Sequence, residues 1–322
     1  MYQSILQIFP KEKREFFLQT AEREACVNEI RLRCEKPVLV LEGDREWYLD
    51  KKGCYTENPS DAAYIDRYEL EKIIQHICHY SLYAYEEELR QGYITVAGGH
   101  RIGIAGQAVM ESTGQIRTIK YIRGINIRVS HQIKGAAHPI LPYLYQDGFP
   151  KSLLILSPPG CGKTTLLRDI VRCFSDGTAY GKGVNVGVVD ERSEIAGAFM
   201  GQPQNDVGIR TDVLDACPKA LGMMMLLRSM SPKVIAIDEL GREEEMAAVG
   251  TVSACGSKIV ATMHGKDLGD VRRRAGMEKL IRESCFETLL ILGKEQGRCM
   301  VKNIYEDRKN GEWECKKESV YL

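Results

Sequence analysis

The densest chemistry in the chain lies in Ser157-Pro158-Pro159-Gly160-Cys161-Gly162-Lys163-Thr164-Thr165. Gly160 and Gly162 permit a tight turn in which backbone N–H groups converge without interference from a Cβ. Leu166, Leu167, Ile170, Val171 and Phe174 recur afterwards at helical spacing, so a helix start would aim its free amides and positive dipole end at the same point. Such a turn binds phosphate. Lys163 is placed to reach the β- and γ-phosphates of a nucleoside triphosphate, and the Thr164 hydroxyl to sit on Mg²⁺. The apolar Leu153-Leu154-Ile155-Leu156 reads as a buried strand, so strand, loop and helix come in the required order. Ser157 stands where the pattern G-x-x-x-x-G-K-[ST] has its first glycine; serine is small, and the two remaining glycines supply the turn. The competing reading is a Gly/Pro turn with a solvated lysine.

Hydrolysis also needs a held metal and an oriented water, which calls for carboxylates at a strand end. Val234-Ile235-Ala236-Ile237-Asp238-Glu239 offers them: a buried-type strand, Asp238 for the metal's water shell and Glu239 to polarise the attacking water. Val188-Val189-Asp190-Glu191-Arg192 repeats the pattern, and two readings stand for it. Either Glu191 and its neighbour help to hold Mg²⁺ or water, or Arg192 pairs them. Val260-Ala261-Thr262-Met263-His264 ends a further strand with a histidine able to touch the γ-phosphate, and Arg242 can act on phosphate or cap the helix that follows.

These groups need a sheet beneath them. From Ser152 onward strand-like runs alternate with helical ones, the pattern of an α/β domain with a parallel central sheet. Its strands are expected at Leu153–Leu156, Val186–Asp190, Val234–Asp238 and Lys258–Thr262. Thr288–Leu292 and Met300–Ile304 flank a glycine-containing loop and read as an antiparallel end, with a further hairpin turn at Lys309-Asn310-Gly311-Glu312. Residues 1–134 read as a smaller α+β domain. It would carry a charged helix around Lys11–Ala25, strands at Glu29–Arg33 and Pro37–Leu41, a long helix over Arg67–Arg90, and strands at Arg101–Gly106 and Ile125–Val129. Residues 135–150, with Pro139, Pro142 and Pro150, read as the connection to a second domain at 151–322.

The chain has 322 residues, room for two cores, and Lys plus Arg balances Asp plus Glu at 44 each, so global charge names no partner. Its 11 cysteines show no C-x-x-C spacing. The nearest metal-like cluster, His76-x-Cys78-His79, reads as helix packing, and the cysteine usage fits a reducing cytosol. No apolar run nears the roughly 18 residues of a membrane span. The protein is expected to be cytoplasmic and, at most, peripherally bound to a membrane. The cluster Arg272-Arg273-Arg274 invites a nucleic-acid reading, but it is taken to begin a helix carrying Glu278, Glu283 and Glu287, and a solvated or subunit-contact face fits better; nucleic acid is not the expected partner.

Taken together, Ser231-Pro232-Lys233 leading into the Val234–Glu239 strand, the turn Leu240-Gly241-Arg242-Glu243-Glu244-Glu245 and the box Thr262-Met263-His264 resemble the secretion-type ATPase superfamily, the motors of type II and type IV secretion and of type IV pili. Val189-Asp190-Glu191 falls where that family has its acidic box, and Asp238 stands where those motors often carry glycine. Over nearly the whole chain, Glu29–Arg33 with Pro37, Gly99-His100-Arg101-Ile102-Gly103-Ile104-Ala105-Gly106 and Ile125–Arg128 are similar to the stage III sporulation protein AA family. The resemblance implies a RecA-like P-loop ATPase core, ATP and Mg²⁺ as ligands and a hexameric ring. It also implies a mother-cell role beside membrane proteins of a sporulation secretion complex. Ring motors of this kind draw arginines from a neighbouring subunit, for which Arg117, Arg123, Arg128 and Arg210 are the candidates; solvated charge or local ion pairs are their other reading. Two other functions remain open on the residues: a nucleic-acid-translocating RecA-type ATPase and a scaffold that binds nucleotide without hydrolysing it.

Overall fold

A computed structural model describes residues 4–81, 85–112, 114–296, 298–308 and 312–322. The chain divides into two compact units, residues 1–131 with 197–204, and residues 132–196 with 205–322.

The first unit is built on a seven-stranded antiparallel sheet of β1 (Glu29–Arg33), β2 (Leu39–Glu42), β3 (Arg45–Leu49), β4 (Tyr55–Thr56), β5 (Tyr93–Thr95), β6 (Arg101–Met110) and β7 (Ile116–Arg128), in the order β4-β3-β2-β1-β7-β6-β5. Ile30 and Leu32 alternate into the core while Arg31 and Arg33 turn away, as one buried face requires. Helices α1 (Ser4–Gln7), α2 (Leu18–Glu22), α3 (Arg67–Ile77) and α4 (Glu86–Gln91) complete the layer. Three expectations change here. The charged helix expected over Lys11–Ala25 is a 3₁₀ turn at Lys11–Lys13 followed by α2, because Phe17 turns inward to stack on Phe9 with ring centroids 3.7 Å apart. The long helix over Arg67–Arg90 is two helices: α3 opens on a capping box formed by Asp66 and Glu69, and it stops where Cys78 is buried and His79 and Tyr80 take left-handed φ values of 46° and 61°. The strand expected over Pro37–Leu41 is interrupted at Val38, with Lys36–Pro37 pairing to Tyr64–Ile65.

The second unit holds the strands that matter for chemistry. β8 (Leu153–Ser157), β9 (Val186–Asp190), β10 (Thr211–Asp215), β11 (Val234–Ile237), β12 (Lys258–His264), β13 (Thr288–Glu295), β14 (Arg298–Asp307) and β15 (Trp313–Tyr321) stand in the order β10-β9-β11-β12-β8-β13-β14-β15. Every pair from β10 to β13 is parallel, and β14 and β15 close the sheet antiparallel. The hairpin turn expected at 309–312 falls largely outside the described residues, as does Gly297 of the β13–β14 loop. Leu153 and Ile155 pack on one face with α5 (Lys163–Asp176), whereas Leu154 and Leu156 pack on the other with α6 (Lys219–Ser229), α7 (Glu243–Ala254) and α9 (Met277–Arg282). Burial on both faces is why these strands read as unbroken apolar runs. It also leaves only the carboxyl edge for polar groups.

Residues 135–150 are not a free connection. Ala137, Ile140, Leu141, Leu144 and Tyr145 are buried in the second unit's core, and His138–Tyr143 forms a 3₁₀ helix. Proline punctuates this stretch without detaching it, because apolar residues between the prolines are drawn to the α5 face. Asp169 fastens its start: one carboxylate oxygen accepts from Gly135 N (3.0 Å) and Ala137 N (2.9 Å), and the other accepts from Arg172 Nε (2.9 Å) and Nη2 (2.7 Å). The short helix α8 (Leu268–Arg273) likewise corrects the reading of the triple arginine, which ends a helix rather than beginning one.

Removing the carboxylate by Asp169→Ala strands the Gly135 and Ala137 amides and takes from Arg172 its two shortest hydrogen bonds. Denaturant unfolding of the full chain should show the second unit losing about 2–4 kcal/mol, with Asp169→Asn between it and the unaltered protein; an unshifted midpoint would refute the tether.

Candidate functional site

β8 delivers the chain into the loop at Ser157, which is fully buried and donates its Oγ proton to Pro158 O at 2.7 Å. A serine is therefore accommodated where the strict pattern has glycine, its hydroxyl satisfied within the turn. Gly160 and Gly162 take φ values of 71° and 78°, and Gly162 is the residue from which α5 springs. Pro158, Pro159, Cys161 and Thr165 complete the run, with Cys161 buried beneath it. Lys163, Thr164 and Thr165 lie in the first turn of α5, where amides lack intrahelical acceptors.

Register then decides which side chains meet. Ser157 is opposite His264 across β8–β12, and Ile237 is opposite Ala261 across β11–β12, so the residues just past β11 come level with Thr262 and Met263. Thr262 donates its hydroxyl proton to Asp238 Oδ1 at 2.7 Å. The N–H of Glu239 is shared between Asp238 Oδ1 and Thr262 Oγ1, each at 2.9 Å. Asp238 Oδ2 is left facing the Thr164 hydroxyl at 3.5 Å. Burial raises the Asp238 pKa above the usual carboxylate range, while the Thr262 hydrogen bond pulls the other way.

Glu239 adopts φ 37°, a left-handed conformation that costs a β-carbon residue about 1–3 kcal/mol and persists here because its N–H is doubly held. Its carboxylate comes 3.9 Å from Lys163 Nζ and 3.3 Å from His264 Nε2. Lys163 donates to His264 Nε2 at 2.9 Å, and the Nδ1–H tautomer of His264 lets the opposite nitrogen face Ser157 O at 3.3 Å. Lys163, Asp238, Glu239 and His264 thus converge on one edge from the ends of two strands and a helix start.

Asp190 is engaged by the backbone of its own loop. It is 1% exposed, and its carboxylate accepts from Glu194 N (2.7 Å), Ile195 N (3.0 Å) and Ala196 N (2.8 Å), organising the loop after β9. Glu191 pairs with Lys219 at 2.6 Å and approaches Arg242 at 4.0 Å. It shares a cavity of about 170 Å³ with Asp238 and Glu239. Glu245 accepts from the amides of Gly241 (2.8 Å) and Arg242 (3.0 Å) at the start of α7, and lies 3.4 Å from Lys219. The residue types alone do not show Lys219 or Glu245. Arg168 is another that they hide. It is buried on α5 and donates to Ile195 O (2.5 Å) and Glu194 O (2.7 Å). Burial lowers its pKa against the opposing charges of Asp190, Asp238 and Glu194. Its signal was a charge at a core-facing position of an otherwise apolar helix face.

Arg274 donates to Leu240 O (3.1 Å) and His264 O (3.4 Å), so that member of the triple arginine braces the two strand ends. Arg117, Arg123 and Arg128 are exposed on β7 of the first unit, Arg128 standing 4.0 Å from Glu29. Arg210 donates to Ser175 O at 2.9 Å, at the far end of α5 and about 18 Å along the helix from Lys163, out of reach of its own loop.

The chain matches the family described as Sporulation stage III, protein AA over residues 1–312. Stage III sporulation protein AA of Bacillus subtilis (strain 168) is 38% identical over 303 residues, covering 94% of each chain. The chain belongs to the sporulation stage III protein AA family. Among solved structures, this member of the family is similar to the Legionella pneumophila ATPase DotB, with TM-score 0.59 and 15% identity, covering 92% of this chain and 81% of that one. It is also similar to the pilus retraction motor PilT with bound ADP, with TM-score 0.58 and 14% identity, covering 90% and 81%. The family member therefore has the RecA-like α/β fold of secretion-type ATPases, preceded by a β-rich unit. Among its described residues no helix is long and apolar enough to cross a membrane.

Burial lifts Asp190 to about 6, against its three amides. A carboxyl whose folded pKa exceeds its unfolded value contributes stability at low pH that is lost as pH rises from about 4 to 6. Asp190→Asn does not titrate, so its cost relative to the unaltered protein should be larger at pH 4 than at pH 7, by at most about 2–3 kcal/mol. Denaturation midpoints at the two pH values check this, and equal costs would refute it.

Proposed function

We propose that the chain is a Mg²⁺-dependent ATP hydrolase working as a homo-oligomeric, hexameric ring that energises a membrane-associated secretion or assembly complex during endospore formation. The observation that carries this reading is the convergence of Lys163, Asp238, Glu239 and His264 on the carboxyl edge of the parallel sheet. The residues fit a triphosphate and its metal. Gly160 and Gly162 keep the loop open to backbone amides, and the buried Asp238 keeps one oxygen turned to the Thr164 hydroxyl. Thr164 and Asp238 would hold Mg²⁺, which supplies charge neutralisation on the phosphate oxygens.

The chain's own groups do the rest. Lys163 exchanges its hydrogen bond to His264 for phosphate oxygens, and His264, on the last residue of β12, stands where the terminal phosphate would be read. Glu239, 44% exposed, orients water for in-line attack. A bond forms from the water oxygen to the γ-phosphorus as the bond to ADP breaks, and Glu239 accepts the proton. Glu191, neutralised by Lys219, lines the same cavity and fixes its acidic wall. Arg117, Arg123, Arg128 and Arg210 are the groups a neighbouring subunit would offer to the transferring phosphoryl group. The reading also places the protein in the mother-cell cytoplasm, joined to the forespore envelope through membrane proteins. The family's sporulation character supports this.

Glu239→Gln should lower phosphate release by about a hundredfold or more while nucleotide still binds. Lys163→Ala should weaken binding itself. Unchanged turnover in Glu239→Gln would remove Glu239 from the mechanism, and a specific activity that does not rise with protein concentration would count against a ring.

A further inference from the structure

The sheet order sets a direction along the phosphate loop. Asp238, Glu239 and His264 lie on the β11–β12 side of β8, so the terminal phosphate of a bound nucleotide points there. The remainder must leave the loop over the opposite neighbour, β13. That strand does not stop level with β8. Leu156 is opposite Ile291, and β13 runs on through Gly293, Lys294 and Glu295 before the chain returns along β14.

Two described residues of this hairpin's strands come down on the loop. A Cβ built on Gly162 would stand 3.5 Å from Cys299 Sγ, and one on Gly160 would stand 4.0 Å from Lys294 Nζ. Lys294 and Cys299 face each other across the hairpin, so these two approaches are one contact made by one cross-strand pair. Glu295 points to the other face of the strand, where it accepts from the Tyr321 hydroxyl at 2.6 Å. Lys294 is an exposed residue, and its ammonium lies beside the turn.

We propose that the β13–β14 hairpin forms the nucleoside-side wall of the site, with Lys294 as a second cation that contacts the α,β-diphosphate shared by ATP and ADP. Cys299, packed on Gly162, holds the hairpin at the distance this requires. This rests on the nucleotide reading above, and the two are separable. Lys163 sits where both β- and γ-phosphates are reached, whereas Lys294 approaches from the flank away from the γ-phosphate's partners. Its contribution therefore falls equally on substrate and product and makes the protein retain ADP.

The test is a titration of the full chain in the Glu239→Gln background, where ATP persists, with ADP and with ATP. Lys294→Ala should raise both Kd values by a similar factor, about five- to tenfold for one charge-assisted contact at an exposed position. Lys294→Arg should keep both within about twofold, because charge and reach survive. Unchanged Kd values, or a loss confined to ATP, would overturn the proposal. If the chain with Lys294 intact binds neither nucleotide, or Lys163→Ala binds as well as the unaltered loop, it is the nucleotide reading that fails, and this inference with it.

Discussion

The register of β12 between β8 and β11 is the constraint on which the site depends. Parallel pairing fixes Ser157 against His264 and Ile237 against Ala261. Because side chains alternate between faces, a slip of one residue would carry Thr262 and His264 to the face where Ala261 and Met263 now pack. The fully buried Leu154, Leu156, Ile235, Ile237, Ile259, Ala261 and Met263 oppose such a slip from one face of the sheet. Apolar packing on residues that do no chemistry therefore places Thr262 over Asp238 and His264 beside Lys163.

Charge at this edge is kept affordable by pairing within the chain. Asp238 shares Thr262 and the Glu239 amide, Asp190 takes three amides of its own loop, and Glu191 and Glu245 share Lys219. Removing one partner exposes the other to an uncompensated burial cost, which makes these residues poor candidates for tolerated substitution. Glu239 is the exception in kind. Its carboxylate is the most exposed of these acids, while its backbone holds a left-handed turn against the preference of a β-carbon residue. A mobile head on an over-determined backbone suits a group that must meet water.

Much of this was legible in the residues. The strand, loop and helix around Lys163, the acidic end of the Val234 strand and the His264 box were all readable, because each rests on local pattern and short spacing. The roles that depend on backbone amides were not. Nothing in Val189-Asp190-Glu191-Arg192 announces that Asp190 gathers the amides of 194–196, or that Glu191 pairs with Lys219. Long-range register was equally hidden, so Lys294 and Cys299 gave no sign of lying against a loop more than a hundred residues earlier. The helix boundaries that shifted did so where tertiary burial overrode charge patterning, at Phe17 and at Cys78.

The assignment of residues 197–204 to the first unit means that the backbone passes between units at three places, after 131, after 196 and after 204. The second of these follows directly on the amides that Asp190 gathers at 194–196. A protein whose parts are joined by a single thread can have them cut apart and studied as autonomous modules. This one is stitched, so a cut after 131 would part residues 197–204 from the rest of the first unit, and the buried acid beside 194–196 fixes where the thread leaves the second.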